Sequence, residues 1–213
     1  MAAGEEADPG LPPQTLTRKG QATRDRIVAA AAELMFERGV AAVSTEDVQR
    51  AANVSPSQLY HYFGDRRSLI RAVIAHLTQA VLDVQVPLLD RLRLDDFEAL
   101  TAWRDAIVDI QRTHGATGGC PIGVFVGQLS ETDPAARDDL AAGFARWETA
   151  IRDGLDAMRE RGELRRDADT GRLALALLAA AQGGLLLMQA RRDTVALEAA
   201  LDTAIDYIRT QRP

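Results

Sequence analysis

The sequence has one cysteine, Cys120, in 213 residues, so an internal disulfide framework is excluded and a reducing cytoplasmic setting is expected. Aromatic residues make up only 5%, and no segment alternates with period two for long enough to argue for a strand. There are three histidines, His61, His76 and His114, with no His-Glu-x-x-His and no glycine-rich phosphate loop. No metal site or cofactor is therefore expected, and an enzyme is disfavoured. Cys120 with His114 offers a nucleophile and a base by residue type, but no activating neighbourhood accompanies them. The apolar run 173–188 is broken by Gln182, Gly183 and Gly184, which predicts no membrane span. Glu5, Glu6 and Asp8 come first at the N-terminus, against the basic-then-apolar order of a signal peptide.

What is present suits helices. Hydrophobic residues reach 46%, dominated by alanine and leucine, enough to bury a sizeable core. The net charge of −6 argues at first against a nucleic-acid partner. Its distribution reverses that reading. Between Gln14 and His76, nine basic residues face six carboxylates, a net +3, so the remainder carries −9. A basic module on an acidic body is expected when only one end meets phosphate.

Along the chain, residues 1–16 lack periodicity and read as a disordered tail. From Arg24, the apolar positions Ile27, Val28, Ala31, Leu34 and Met35 predict a helix ending at Arg38, stopped by Gly39. Ser44 caps a short helix that ends at Ala51-Ala52, with Asn53 suited to a left-handed turn. Ser55, Pro56 and Gln58 open another through a capping box. Asp65 caps a longer connecting helix over 65–86, which Pro87 and the charged 91–96 are expected to end. Further helices are predicted at about 95–113, 121–130, 134–161, 168–191 and 194–211, broken at Gly118-Gly119, Asp133-Pro134, Gly162 and Asp193-Thr194. The expected class is all-α with about nine helices.

Residues 44–63 carry the functional signal: two short helices about four residues apart, the pattern of a helix-turn-helix. Val48, Ala51, Val54, Leu59 and Tyr62 are its expected inner positions, and Ser57, Gln58, Tyr60 and His61 its outer ones. Glutamine pairs with adenine, and hydroxyls commonly contact phosphate, so this face suits a major groove. A helical hairpin with a polar outer face fits the same pattern.

The run from Thr45 to Arg66, and within it Leu59-Tyr60-His61-Tyr62-Phe63, resembles the signature of TetR/AcrR-type one-component regulators. Residues 26–39 are similar to that family's first helix. Gly64-Asp65-Arg66 departs from the usual Pro-Ser-Lys but keeps a cation. The resemblance implies a three-helix DNA-binding head (17–64) on a helical ligand-binding and dimerisation body (65–213). It implies a dimeric repressor on a palindromic double-stranded operator, released by a small molecule; an activator on the same fold stays open. Thr45, Tyr60 and Arg66 are implied to hold phosphate and Ser57, Gln58 and His61 to face bases, with Ser55 beside them.

In the body, Leu173, Leu177, Ala180, Ala181, Gly184 and Leu187 form one stripe, and Leu197, Leu201, Ile205 and Ile208 another. Paired across two chains they would make a four-helix homodimer interface; within one chain they would be core. Trp103, Ile107, His114, Cys120, Phe125, Trp147, Ile151 and Gln182 are candidates for an effector pocket taking an apolar or aromatic molecule. Gly119-Cys120-Pro121 resembles a Gly-Cys-Pro element opening helix six in one subgroup. There Cys120 is either a redox or electrophile sensor with a lowered thiol pKa or a small helix-start residue.

Overall fold

The computed structural model describes residues 16–90 and 97–213, and among these it holds nine α-helices and no strand. Helix α1 is Arg18–Arg38, followed by a 3-10 turn at Val40–Ala42, α2 at Thr45–Ala52 and α3 at Pro56–Phe63. The body follows with α4 (Arg66–Asp90), α5 (Phe97–Thr113), α6 (Pro121–Leu129), α7 (Pro134–Glu160), α8 (Thr170–Arg191) and α9 (Val195–Arg209). The expected tail, Leu16 apart, and the charged 91–96 lie outside the described residues.

The caps fall where the sequence placed them. Ser44 and Ser55 each close a full capping box, with Asp47 and Gln58 reaching back to the cap backbone. Asn53 takes the left-handed conformation at φ 50° and ψ 57° and ends α2. Asp65 accepts from the Ser68 backbone N–H at 2.7 Å and starts α4.

Four expectations are corrected. Helix α1 begins at Arg18 rather than near Arg24, because Thr17 caps it by accepting the Gly20 N–H at 3.1 Å. Helix α4 runs through Pro87 to Asp90. A proline three residues from a helix end removes only one ladder bond, so the helix survives it. Ala51 is exposed, whereas Ala52 is fully buried beside Val48 and Leu59 in the head's small core. Helices α4 and α8 are long and apolar enough by composition to cross a membrane, with mean hydropathies of 1.4 and 1.8. Both are packed helices of this bundle, α4 against α7 and α8 against α9, and high hydropathy is normal for a helix covered on several sides.

Head and body share one continuous core. Leu69 and Val73 of α4 are fully buried, with Leu77 partly so. Polar contacts reinforce the junction. The Val40 N–H donates to Gln128 Oε1 on α6 at 2.6 Å. Arg67 pairs with Asp133 at 3.2 Å and Arg71 with Asp139 at 2.6 Å, both joining α4 to the start of α7.

Candidate DNA-reading face and effector cavity

Helix α3 stands on the head as an amphipathic wedge. Leu59 and Phe63 are buried, while Ser55, Ser57, Gln58, Tyr60 and His61 are all exposed. The structure thus brings the expected contact residues onto one surface. Tyr60 is 49% exposed, large for an aromatic ring without a protein partner. The His61 ring stands edge-on to Tyr62 at 5.1 Å, which fixes its direction. Thr45, at the first turn of α2, is partly exposed, and its hydroxyl contacts the Glu46 carboxylate at 3.3 Å.

Gln58 is less free than its type suggests. Its Oε1 accepts the Ser55 backbone N–H at 2.9 Å, leaving the NH2 group to face outward. Arg66 turns inward as well. Its Nη2 donates to the carbonyls of Val40 and Val43, at 2.5 and 3.3 Å, and is partly buried. The cation at the start of α4 therefore ties the 3-10 turn to the body. Arg26 plays a similar part that sequence reasoning missed, donating from Nε to the Ala52 carbonyl at 2.9 Å. Exposed Arg18 and Lys19, at the start of α1, are better placed to meet phosphate.

Hydrogen bonds favour the charged form of two carboxylates at helix starts, Asp47 and Asp65. Hydrogen bonds from Ser44, then the Arg50 guanidinium, keep Asp47 below the usual carboxylate range. The Ser68 N–H does the same for Asp65. At the junction, the Ala136 N–H and then Arg67 lower Asp133.

In the body, a cavity of about 340 Å³ opens between α4, α5, α7, α8 and the 114–121 turn. That size suits a small-molecule site. Ile107, His114, Cys120 and Trp147 line it, as do Phe36, Gln85 and Leu185, which the sequence reading did not name. Trp103, Phe125 and Ile151 are instead buried and do not line it; Gln182 lies behind the α6 start, its Oε1 close to Gly123. Phe36 belongs to α1, so the N-terminal head itself supplies part of the wall. It lies against Gly118, where a Cβ would meet the Phe36 ring at 2.8 Å, so the turn accommodates this contact only with glycine. Nothing periodic marks such a contact in sequence.

Comparison with known proteins now bears on this geometry. Residues 27–73 match the family of bacterial regulatory proteins, tetR family, and residues 97–204 match the tetracyclin repressor-like C-terminal domain. The chain belongs to the TetR family. It is 32% identical to the transcriptional regulator AcuR of Cereibacter sphaeroides, over 75% of this chain and 73% of that protein. It is 25% identical to the HTH-type transcriptional repressor DhaR of a Mycobacterium species, over 87% and 91%. Among solved structures, a TetR-family regulator from Cytophaga hutchinsonii has the same fold, with a TM-score of 0.79 at 19% identity, covering 93% of this chain and 98% of that one. A TetR-family chain is a DNA-binding transcriptional regulator and not an enzyme.

Two further features of this TetR-family chain refine the sequence reading. Cys120 is 7% exposed, and burial pushes its thiol pKa up, against weaker lowering by nearby N–H donors. That direction is opposite to the lowered pKa that a sensor thiol requires. The apolar stripes of the last two helices are also reassigned. Leu197, Leu201, Ile205 and Ile208 are buried, facing Leu173, Leu177, Ala181 and Gly184 within the same chain. A Cβ at Gly184 would sit 2.7 Å from the Leu197 Cα, so glycine sets how closely α8 and α9 approach. Leu187 is exposed, as are Leu175 and Leu186 on α8 and Val195 and Tyr207 on α9.

Proposed function

We propose that this protein is a homodimeric, cytoplasmic transcriptional repressor that binds an inverted-repeat operator and leaves it when a small apolar molecule fills the cavity. The observation that carries the reading is Phe36: a residue of the DNA-binding head forms part of the cavity wall. A ligand entering there presses on the head without a relay.

Ser57, Gln58 and His61 would read base edges, while Thr45, Ser55, Tyr60, Arg18 and Lys19 would hold the backbone. Arg66 would act by bracing the 3-10 turn. The exposed outer face of α8 and α9 would join two copies and set their recognition helices about 34–36 Å apart. The large apolar side chains that α8 and α9 leave exposed support that face, since exposed apolar surface on paired helices favours burial against a second copy. The second copy would also cover the outer side of α8, whose composition alone passes for a membrane span.

Coupling would run through Phe36 and through the bond from Val40 to Gln128, which ties α6 to the head. Release needs about 1–3 kcal/mol, a five- to 150-fold loss of operator affinity. The test is a thermal-shift screen of apolar small molecules, followed by operator titration with each stabilising compound. Loss of affinity in that range supports the reading. Compounds that bind in the cavity and leave operator affinity unchanged contradict it.

A further inference from the structure

The polar groups of the cavity are unequal in kind. Trp147 is 2% exposed and lines the cavity, and its indole Nε1–H has no hydrogen-bond partner. Unpaired donors this deeply buried are rare, because they lose water and gain nothing. Gln85, 7% exposed, also lines the cavity. Its Oε1 accepts the Trp103 indole N–H at 2.8 Å, which turns the other end of the amide, the NH2 donor, away from Trp103. The N-terminus of α6 opens on the same space through Cys120 and Pro121, adding the positive end of a helix.

Acceptors are scarce in the same depth. The Gly118 carbonyl on this wall is taken by Gln189 Nε2 at 3.2 Å. His114 Nδ1 lies 2.7 Å from the Ile110 carbonyl, so that nitrogen donates as well. His114 and Thr117, which keep acceptor capacity, are at the exposed mouth, and Gln111, whose carboxamide both accepts and donates, is partly exposed beside them. No lysine, arginine, aspartate or glutamate is among the described residues lining the cavity. A charged ligand would lose its hydration there without a counter-charge.

We infer that the effector is a neutral, largely apolar molecule with a carbonyl-type oxygen, and that Trp147 and Gln85 donate to this oxygen. The inference rests on the effector-cavity reading above and adds the chemical class. Trp147 is then the specificity-determining residue. An acceptor satisfies its orphaned N–H, whereas a hydrocarbon of equal shape leaves it unpaired.

The experiment is equilibrium dialysis of the full chain against three probes of matched shape: 1-acetylnaphthalene, 1-isopropenylnaphthalene and 1-naphthoate. The ketone is expected to bind roughly three- to tenfold more tightly than the hydrocarbon, the equivalent of one net hydrogen bond, and the anion most weakly. In W147F the ketone's advantage should shrink to the part that Gln85 supplies, while hydrocarbon binding persists. A measurement independent of that variant is the indole 15N–1H spectrum, where the two tryptophans give two peaks. One should move downfield with the ketone and stay with the hydrocarbon. Equal binding of ketone and hydrocarbon, tightest binding of the anion, or an unmoved indole peak overturns the inference and leaves the cavity reading standing. Binding of none of the three at millimolar concentration overturns the cavity reading and this inference with it.

Discussion

The carboxamide oxygen of Gln58 accepts the backbone N–H of Ser55 at 2.9 Å, so the side chain that closes the cap of α3 also lies on the exposed face proposed to read DNA. Bidentate pairing with adenine needs both ends of the amide, and here one end is already engaged. Gln58 is left with a donor, which suits purine N7 or guanine O6. Gln58→Glu keeps the cap, since glutamate reaches back equally well, but replaces the outward NH2 with an acceptor. The expected result is an unchanged melting temperature with operator affinity weaker by about 1–3 kcal/mol. A wild-type affinity in the variant would remove Gln58 from base reading.

The reassignment of the α8 and α9 stripes makes two leucines behave differently. Leu186 is 67% exposed, and Leu201 is fully buried. Leu186→Glu is expected to give a folded monomer at micromolar concentration, seen by light scattering, with operator binding largely lost. Leu201→Ala should instead destabilise the chain by about 2–5 kcal/mol in urea. Retention of the dimer in Leu186→Glu would place the interface elsewhere.

Cys120 should be slow to react. Burial raises its pKa, so at neutral pH little thiolate exists to attack a reagent. Iodoacetamide is expected to modify it only after unfolding, and Cys120→Ser should leave operator affinity unchanged. Stoichiometric alkylation of the folded protein within minutes would restore the sensor reading.

Acid should loosen the junction between head and body. Asp133 accepts from the Ala135 and Ala136 N–H groups and pairs with Arg67, which together lower its pKa. Asp47, Asp65 and Glu198 are lowered too. A carboxylate whose folded pKa lies below its unfolded one contributes stability that is complete above the unfolded value. That contribution is lost as pH falls through the folded value. Stability should therefore hold down to about pH 4 and decline below it. In Asp133→Asn part of that decline should be missing from the urea midpoint measured against pH. A decline identical to wild type would assign the acid sensitivity to other groups.

Local chemistry explains which features were legible in the sequence. Ser44, Asn53, Ser55, Asp65 and the glycine and proline breaks act on neighbours within a few residues, so their order along the chain is enough to place the helices. The first turns of α1 are polar, and periodicity has nothing to mark there; a cap at Thr17 extends the helix over them. The apolar stripes were visible, but a stripe records only that something covers it. Residues 173–188 are apolar nearly all round, so one face packs on α9 and another is left outside. The cavity was least legible. It is space that packing leaves open, and Phe36 and Gln85 reach it from positions 49 residues apart in sequence.

The most direct test of the account is operator selection from random duplex DNA, with the recovered sequences bound at several salt concentrations. The account predicts an enriched inverted repeat with half-site centres about one helical turn, or a multiple of it, apart, bound by two protomers. Binding that falls steeply with salt but enriches no sequence would mean phosphate contact alone, and would contradict a dimeric reader built on α3.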